Sequence, residues 1–222
     1  MKKGKNIEVE KKYVIDSENG LLFEQVRLEF SDFMKNYNAS PVKVKDSADD
    51  YFDTDEGDLY KKNIILRNRT DNKRKRLTIK KDVPDETKSG SDGQLERFEY
   101  ETEIESENIE DNWELLKLYC PELTEKFQPK NFHKVIRVEK NREKILFSQD
   151  EFSIEVAFDS VTYINLKNKQ SKKEYQIEIE LKSDYAHRDR IKSVSDELEK
   201  RYSFLKPNYE SKYKRAVDMT GV

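Results

Sequence analysis

Strict two-residue alternation between charged and apolar side chains constrains this chain more than any other feature. Glu8, Glu10 and Lys12 alternate with Ile7, Val9 and Tyr13. Arg67 and Arg69 share a parity with Ile65, and Arg74, Arg76, Thr78 and Lys80 alternate with Leu77 and Ile79. Arg97, Glu99, Glu101 and Glu103 oppose Phe98 and Tyr100, and Lys140 pairs in parity with Arg142. Glu155 and Asp159 oppose Ile154, Val156 and Phe158, and Glu178 and Glu180 oppose Ile177, Ile179 and Leu181. Successive strand residues point to opposite faces, so each segment reads as a strand with one charged and one apolar face. Water on one side of a sheet explains any single strand of this kind. It does not explain why every polar face is almost wholly charged, with Ser and Thr scarce. In a closed barrel with helices over its apolar outside, the charged faces would converge on a lumen. Buried charges persist only when paired or bound to a counter-ion. A lumen lined by both signs therefore implies a charged ligand together with a metal.

The remaining segments fit this frame. Strands are expected at Asn6–Ile15, Val42–Phe52, Ile64–Thr70, Arg74–Lys81, Leu95–Ile104, Asn131–Asn141, Lys144–Phe147, Glu151–Tyr163 and Lys173–Lys182. Asp71-Asn72-Lys73 forms the turn of a hairpin. Leu22, Val26, Phe30, Phe33 and Tyr37 make a helical stripe over Leu21–Tyr37, with Ser17 as its expected cap. Asp53-Thr54-Asp55 can start a short helix through Tyr60. Ile109–Phe127 reads as helix with a break near Pro121, and Tyr185–Tyr202 as another helix. Pro84–Gly93 reads as a mobile loop near a tunnel entrance, Lys167–Lys172 as a polar turn, and Asn208–Met219 as a short mixed tail. The lack of a regular βαβ rhythm disfavours a doubly wound sheet and favours an antiparallel barrel.

Composition narrows the function. The 222 residues suit one domain, expected over 1–222. With 43 basic against 46 acidic residues, the chain lacks the basic surplus of a nucleic-acid binder. A lone cysteine, Cys120, excludes an internal disulfide and reads as packing. No apolar run is long enough to span a membrane, and the N-terminus has no apolar signal core, so a cytoplasmic chain is expected. Six glycines without a phosphate-cradling loop exclude P-loop and Rossmann sites. His133 and His187 lack zinc-type spacing, and Trp113 reads as core. Lys73-Arg74-Lys75-Arg76 is explained by strand and turn geometry.

These residues resemble a known family. Glu8-x-Glu10-x-Lys12 is similar to the N-terminal signature of the CYTH superfamily, whose members include class IV adenylyl cyclases, thiamine triphosphatases and inorganic triphosphatases, together called triphosphate tunnel metalloenzymes. Tyr51-Phe52-Asp53-Thr54, Leu59, Leu66-Arg67-Asn68-Arg69 and Leu77-Thr78-Ile79-Lys80 follow in the family's order. Arg97-x-Glu99-x-Glu101, Lys140-x-Arg142, Glu178-x-Glu180 and Ser211-Lys212-Tyr213 complete the series. The resemblance implies an α+β, mainly β fold: an eight-stranded antiparallel closed barrel with flanking helices, and a helical insertion at about 106–130.

It also implies roles. Lys12, Arg67, Arg69, Arg76, Lys80, Lys140, Arg142 and Lys212 are the expected triphosphate ligands. Glu8, Glu10, Glu178, Glu180 and Asp159 are the expected ligands of Mg²⁺ or Mn²⁺, hard cations that prefer oxygen. Glu99 and Glu101, with Lys12, form the expected catalytic set, holding a second metal or a water. The base that takes the water proton stays open among Glu99, Glu101, Glu155 and Asp159. The expected activity is hydrolysis of a small-molecule triphosphate, foremost tripolyphosphate, with ATP or thiamine triphosphate beside it. The alternatives are a class IV adenylyl cyclase and a non-catalytic polyphosphate- or nucleotide-binding module. No nucleic-acid or membrane partner is expected, and the chain is expected as a monomer or homodimer.

Overall fold

The computed structural model describes residues 6–72, 74–82 and 95–221. Among these, ten strands and six α-helices follow in the order β1 (Asn6–Asp16), α1 (Gly20–Phe33), β2 (Asn38–Ala39), β3 (Lys43–Asp53), α2 (Asp58–Lys61), β4 (Ile65–Asp71), β5 (Arg74–Asp82), β6 (Leu95–Glu103), α3 (Trp113–Tyr119), α4 (Pro121–Thr124), β7 (His133–Gln149), β8 (Phe152–Asn165), β9 (Ser171–Leu181), α5 (Arg188–Arg201), β10 (Lys206–Pro207) and α6 (Lys212–Thr220). The sheet runs β1-β6-β5-β4-β3-β7-β8-β9 with every pair antiparallel, and β9 returns to β1. Closure removes the exposed edges that an open sheet would present. The expected eight-stranded barrel is thus the observed one.

Helices cover the outside as the apolar parity requires. Phe23, Val26 and Phe30 of α1 and Ile191, Val194 and Leu198 of α5 join Val9, Tyr13, Ile154, Val156, Ile177 and Ile179 in one buried cluster. Leu116, Cys120 and Leu123 around α3 and α4 pack on Leu66, Leu77 and Ile79. Those two helices fall within the segment where a helical insertion was expected, and the chain breaks between them at Cys120, before Pro121.

Five expectations need correction. The two strands expected at 131–141 and 144–147 are one 17-residue strand, β7. Its partner β3 pairs continuously from Lys43↔Lys144 to Asp53↔His133, past a bulge at Tyr51/Phe52, so the charged stretch Asn141–Glu143 never leaves the ladder. The tail expected to be mixed contains α6, whose first turn is capped by the Ser211 hydroxyl accepting from Lys214 N at 3.0 Å. Ser17 is not the cap of α1; it opens a 3₁₀ turn, and Asn19 precedes the helix. Helix α1 also ends at Phe33, before Tyr37. The short helix after Asp53 begins at Asp58, and the Asp53 carboxylate accepts from Leu59 N (2.8 Å) and Tyr60 N (2.9 Å). The expected entrance loop Pro84–Gly93, Lys73 of the hairpin turn and the basic start Met1–Lys5 lie outside the described residues.

Candidate active site in the barrel lumen

The lumen is floored at one end by α6. Tyr213 and Ala216 of this helix bury against Tyr51, Ile65, Ile136, Val138, Val161 and Tyr163, which face inward from four strands. Tyr213 stacks on Tyr51 (centroids 5.4 Å, 8° between planes) and donates its hydroxyl to Asp53 Oδ2 at 2.7 Å. Above this apolar plug the lumen opens into a cavity of about 220 Å³, with Tyr51, Ile65, Ser211 and Lys212 among the residues at its base. Among the described residues, twelve basic and seven acidic side chains line it. Asp49 and Asp159, buried behind the wall, reduce the positive surplus without cancelling it.

Three cations share one carboxylate on the β3–β4–β7 side. Asp49, wholly buried, accepts from Arg67 Nη1 (3.2 Å), Arg69 Nε (2.7 Å) and Nη2 (3.0 Å), and Lys140 Nζ (2.8 Å). Burial alone would push the Asp49 carboxyl up, but Arg69, Lys140 and Arg67 hold it well below the usual range. Lys140 feels the opposite balance. Burial, then the charges of Arg69, Arg142 and Arg67, drive its ammonium well below the usual lysine value despite Asp49. This wall therefore holds more positive charge than its own carboxylate neutralises.

A second cluster lies beside it. Arg142 makes a bidentate pair with Asp159 (2.6 and 2.5 Å) and also donates to Glu178. Lys212, from the first turn of α6, donates to Glu178 and stands 3.1 Å from Asp159. Lys12 lies 3.3 Å from Glu178 and 3.4 Å from Glu10. Across the lumen, Lys80 bonds Glu8 and lies 3.3 Å from Glu99. Arg76 donates to Glu101 at 2.7 Å and to Asp71, and Thr78 donates to Glu101 at 3.3 Å. Glu99 and Glu101 are half-buried, and their partial burial raises the carboxyls, yet the neighbouring cations outweigh this and keep them below the ordinary value.

Registers create a further arrangement that sequence spacing does not show. Glu10 faces Glu180 across β1–β9, and Glu180 faces Glu155 across β9–β8. Three carboxylates thus form one row over three adjacent strands, where like charges directly opposite destabilise a sheet. Burial first, and the Glu8 charge besides, raise Glu180 to about 7, although Lys182 pulls it down. The donor set is all oxygen, which suits a hard divalent cation. As they stand, most of these carboxylates turn to a neighbouring ammonium or guanidinium. Among the described residues no three candidate ligands converge on one point.

The barrel brings together nearly the whole expected set. Glu8, Glu10, Lys12, Arg67, Arg69, Arg76, Lys80, Glu99, Glu101, Lys140, Arg142, Glu178, Glu180 and Lys212 all line the cavity. Asp159 does not. It is wholly buried behind Arg142, and its oxygens are engaged by Arg142 and Lys212, so its place is that of an anchor for two cations. Sequence reasoning missed Asp49, Lys45, Lys144 and Lys182. The last three line the cavity and share the lumen parity of their strands. His133 is exposed and His187 sits beside Phe152 on the barrel exterior, away from the cavity.

Comparison with known proteins matches residues 6–216 to the CYTH domain. The chain belongs to the CYTH family. Solved structures share the CYTH fold at low identity. A candidate adenylate cyclase of Bacillus halodurans is 19% identical over 96% of this chain and 98% of its own, with a TM-score of 0.59. A candidate adenylyl cyclase of Hippeastrum, described as having a dominant triphosphatase activity, is 16% identical over 97% of both chains, with a TM-score of 0.58. The PH1819 protein of Pyrococcus horikoshii OT3 is 20% identical over 96% and 99%, with a TM-score of 0.53. No curated protein sequence matches this chain. No helix among the described residues of this CYTH chain is long and apolar enough to cross a membrane.

Proposed function

We propose that this CYTH chain hydrolyses a triphosphate, foremost inorganic tripolyphosphate, with Mg²⁺ or Mn²⁺. The observation that carries this reading is the sharing of Asp49 by Arg67, Arg69 and Lys140. A buried wall with unneutralised positive charge is completed by a polyanion. Arg67 and Arg69 offer forked donors to phosphate oxygens, and Lys140, Lys12, Lys80 and Lys212 offer point charges from other sides. Arg76 and Arg142 complete the clamp.

Glu8, Glu10 and Glu180 are the residues that would hold the cation, with Glu178 beside them tied to Arg142 and Lys212. When bound, the metal would offset phosphate charge and favour attack by water. The neighbouring cations keep Glu99 and Glu101 in the carboxylate form, so they are hydrogen-bond acceptors that orient that water, and one of them takes its proton as the new P–O bond forms. Lys12 stabilises charge that develops on the transferred phosphoryl group.

The lining also bears on the substrate. Among the described residues, its uncharged members are Ser47, Tyr51, Ile65 and Ser211. Binding pockets for a base or thiazole ring usually present apolar and aromatic surface, which is scant here, and an inorganic chain needs none. The test is incubation with Mg²⁺ or Mn²⁺ and tripolyphosphate, ATP or thiamine triphosphate in separate reactions. Phosphate release fastest from tripolyphosphate supports the proposal. Cyclic AMP from ATP would instead indicate a cyclase, and tight binding without turnover a binding module.

A further inference from the structure

We propose that Lys144 and Lys182 form a subsite at the cavity mouth for one more phosphate, so that the site takes linear polyphosphates longer than the triphosphate. This rests on reading the lumen as a triphosphate site.

The argument begins with position along the strands. From the plug outward, β7 presents Ile136, Val138, Lys140, Arg142 and then Lys144 to the lumen. Likewise β9 presents Glu178 and Glu180, with Lys182 following just past the strand's last residue, its backbone N–H still donating to Ser153 O at 2.9 Å. Each lysine stands two residues beyond a member of the inner site, about 6.6–6.8 Å further along its strand. Exposure follows the same gradient. The Lys140 side chain is 2% exposed, whereas Lys144 and Lys182 are 30% and 33% exposed. These two ammoniums therefore occupy the open end, opposite α6.

Their present partners are carboxylates of the row described above. Lys144 lies 2.7 Å from Glu155, and Lys182 lies 2.5 Å from Glu180. A carboxylate drawn to a divalent cation loses most of its hold on an ammonium. Occupation of Glu180 would release Lys182 toward the mouth, where Lys144 stands beside Glu155, the register neighbour of Glu180. There the next anionic group of a longer chain is the matching ligand. Each added phosphate extends a linear polyphosphate and adds negative charge.

The experiment is calorimetric titration of the intact chain with pyrophosphate, tripolyphosphate and tetrapolyphosphate, in EDTA and again with Mg²⁺ in the cold. Wild type and the double variant Lys144→Met/Lys182→Met are compared, with Lys144→Arg/Lys182→Arg as the charge-preserving control. In Mg²⁺, wild type is expected to bind tetrapolyphosphate about tenfold more tightly than tripolyphosphate, the size of one charge-assisted contact. The Met variant should lose that gain and keep its tripolyphosphate affinity, and the Arg variant should retain the gain. Equal wild-type affinity for the two chains, or equal weakening of both in the Met variant, overturns the subsite. Failure of wild type to bind tripolyphosphate overturns the reading of the lumen as well.

Discussion

Asp49 of β3 accepts a hydrogen bond from Lys140 of β7 at 2.8 Å although the two are not register partners. Asp49 opposes Val138, and Lys140 opposes Ser47. The diagonal contact draws Lys140 into the same carboxylate that holds Arg67 and Arg69. One aspartate therefore sets the geometry of three cations from the two strands neighbouring its own, β4 and β7, ahead of any ligand.

Removing Asp49 leaves the buried Arg67 and Lys140 and the half-buried Arg69 without their shared partner. Asp49→Ala is expected to destabilise the fold by about 3–5 kcal/mol, the usual loss when one side of a buried ion pair is deleted. Urea unfolding followed by tryptophan fluorescence measures it. A loss below about 1 kcal/mol, the size of an exposed pair, would show that solvent already screens the cluster.

Lys140→Met separates binding from stability. Asp49 keeps both arginines, and the ammonium lost is one that its surroundings disfavour. The unfolding midpoint should therefore hold or rise. Tripolyphosphate affinity should fall about ten- to a hundredfold, the worth of one charge-assisted contact in a buried site. Calorimetry in EDTA reads the second effect without turnover, and unchanged affinity would remove Lys140 from the phosphate clamp.

Most of the lumen was legible because strand parity separates charged from apolar side chains. It failed where neither parity is apolar. On β3, Lys45 and Asp49 face the lumen, but Asp46 and Asp50 on the other parity are charged as well, so alternation could not mark Asp49. Asp50 faces outward and is held by Lys134 (2.7 Å) and Arg137 (2.7 Å). The run Asn141–Glu143 looked like a break in β7 for the same reason. Helix α6 was obscured by its setting: its buried positions Tyr213, Ala216 and Thr220 make a narrow stripe that plugs a barrel end, among lysines and arginines that reach its carboxylates. The row of Glu10, Glu180 and Glu155 depends on register, which parity does not determine.

The outward pair at Asp50 gives a pH signature. Burial raises the Asp50 carboxyl, but Arg137 and Lys134 outweigh it and leave the group below its ordinary value. A depressed carboxyl contributes stability that is full above its unfolded value, about 3.9, and is lost as pH falls through the folded value. Wild type should therefore exceed Asp50→Asn in stability at pH 6, and the difference should shrink by pH 3. Chemical denaturation at both values checks this. A difference that stays constant with pH would mean that the carboxylate's charge contributes nothing.

Cys120 is buried between α3 and α4, and burial pushes its thiol up to about 11 even with Lys81 nearby. A thiol in this state is neither nucleophilic nor accessible. It should resist a disulfide-exchange reagent at pH 8 in the folded protein and react fully in urea. Cys120→Ser should leave phosphate release from tripolyphosphate unchanged. Rapid labelling of the folded chain would contradict the packing of α3 and α4 on the barrel.

Glu178 and Glu180 share a strand and a face, yet their partners differ, and so should their substitutions. Glu178 accepts from Arg142 and Lys212 and lies 3.3 Å from Lys12, so Glu178→Gln strands cations that anchor α6 to the barrel. Its expected effect is a loss of stability toward the low end of about 3–5 kcal/mol, because the amide oxygen keeps an acceptor. Glu180 has Lys182 beside it but faces Glu10 and Glu155, so Glu180→Gln relieves like-charge crowding and should leave the fold as stable or more stable. Metal-dependent phosphate release should nevertheless collapse in Glu180→Gln, and raising Mg²⁺ or Mn²⁺ should restore part of it. Unfolding curves and a metal titration of activity, run on both variants, separate the two roles. Full activity of Glu180→Gln at low metal would move the cation site away from β9.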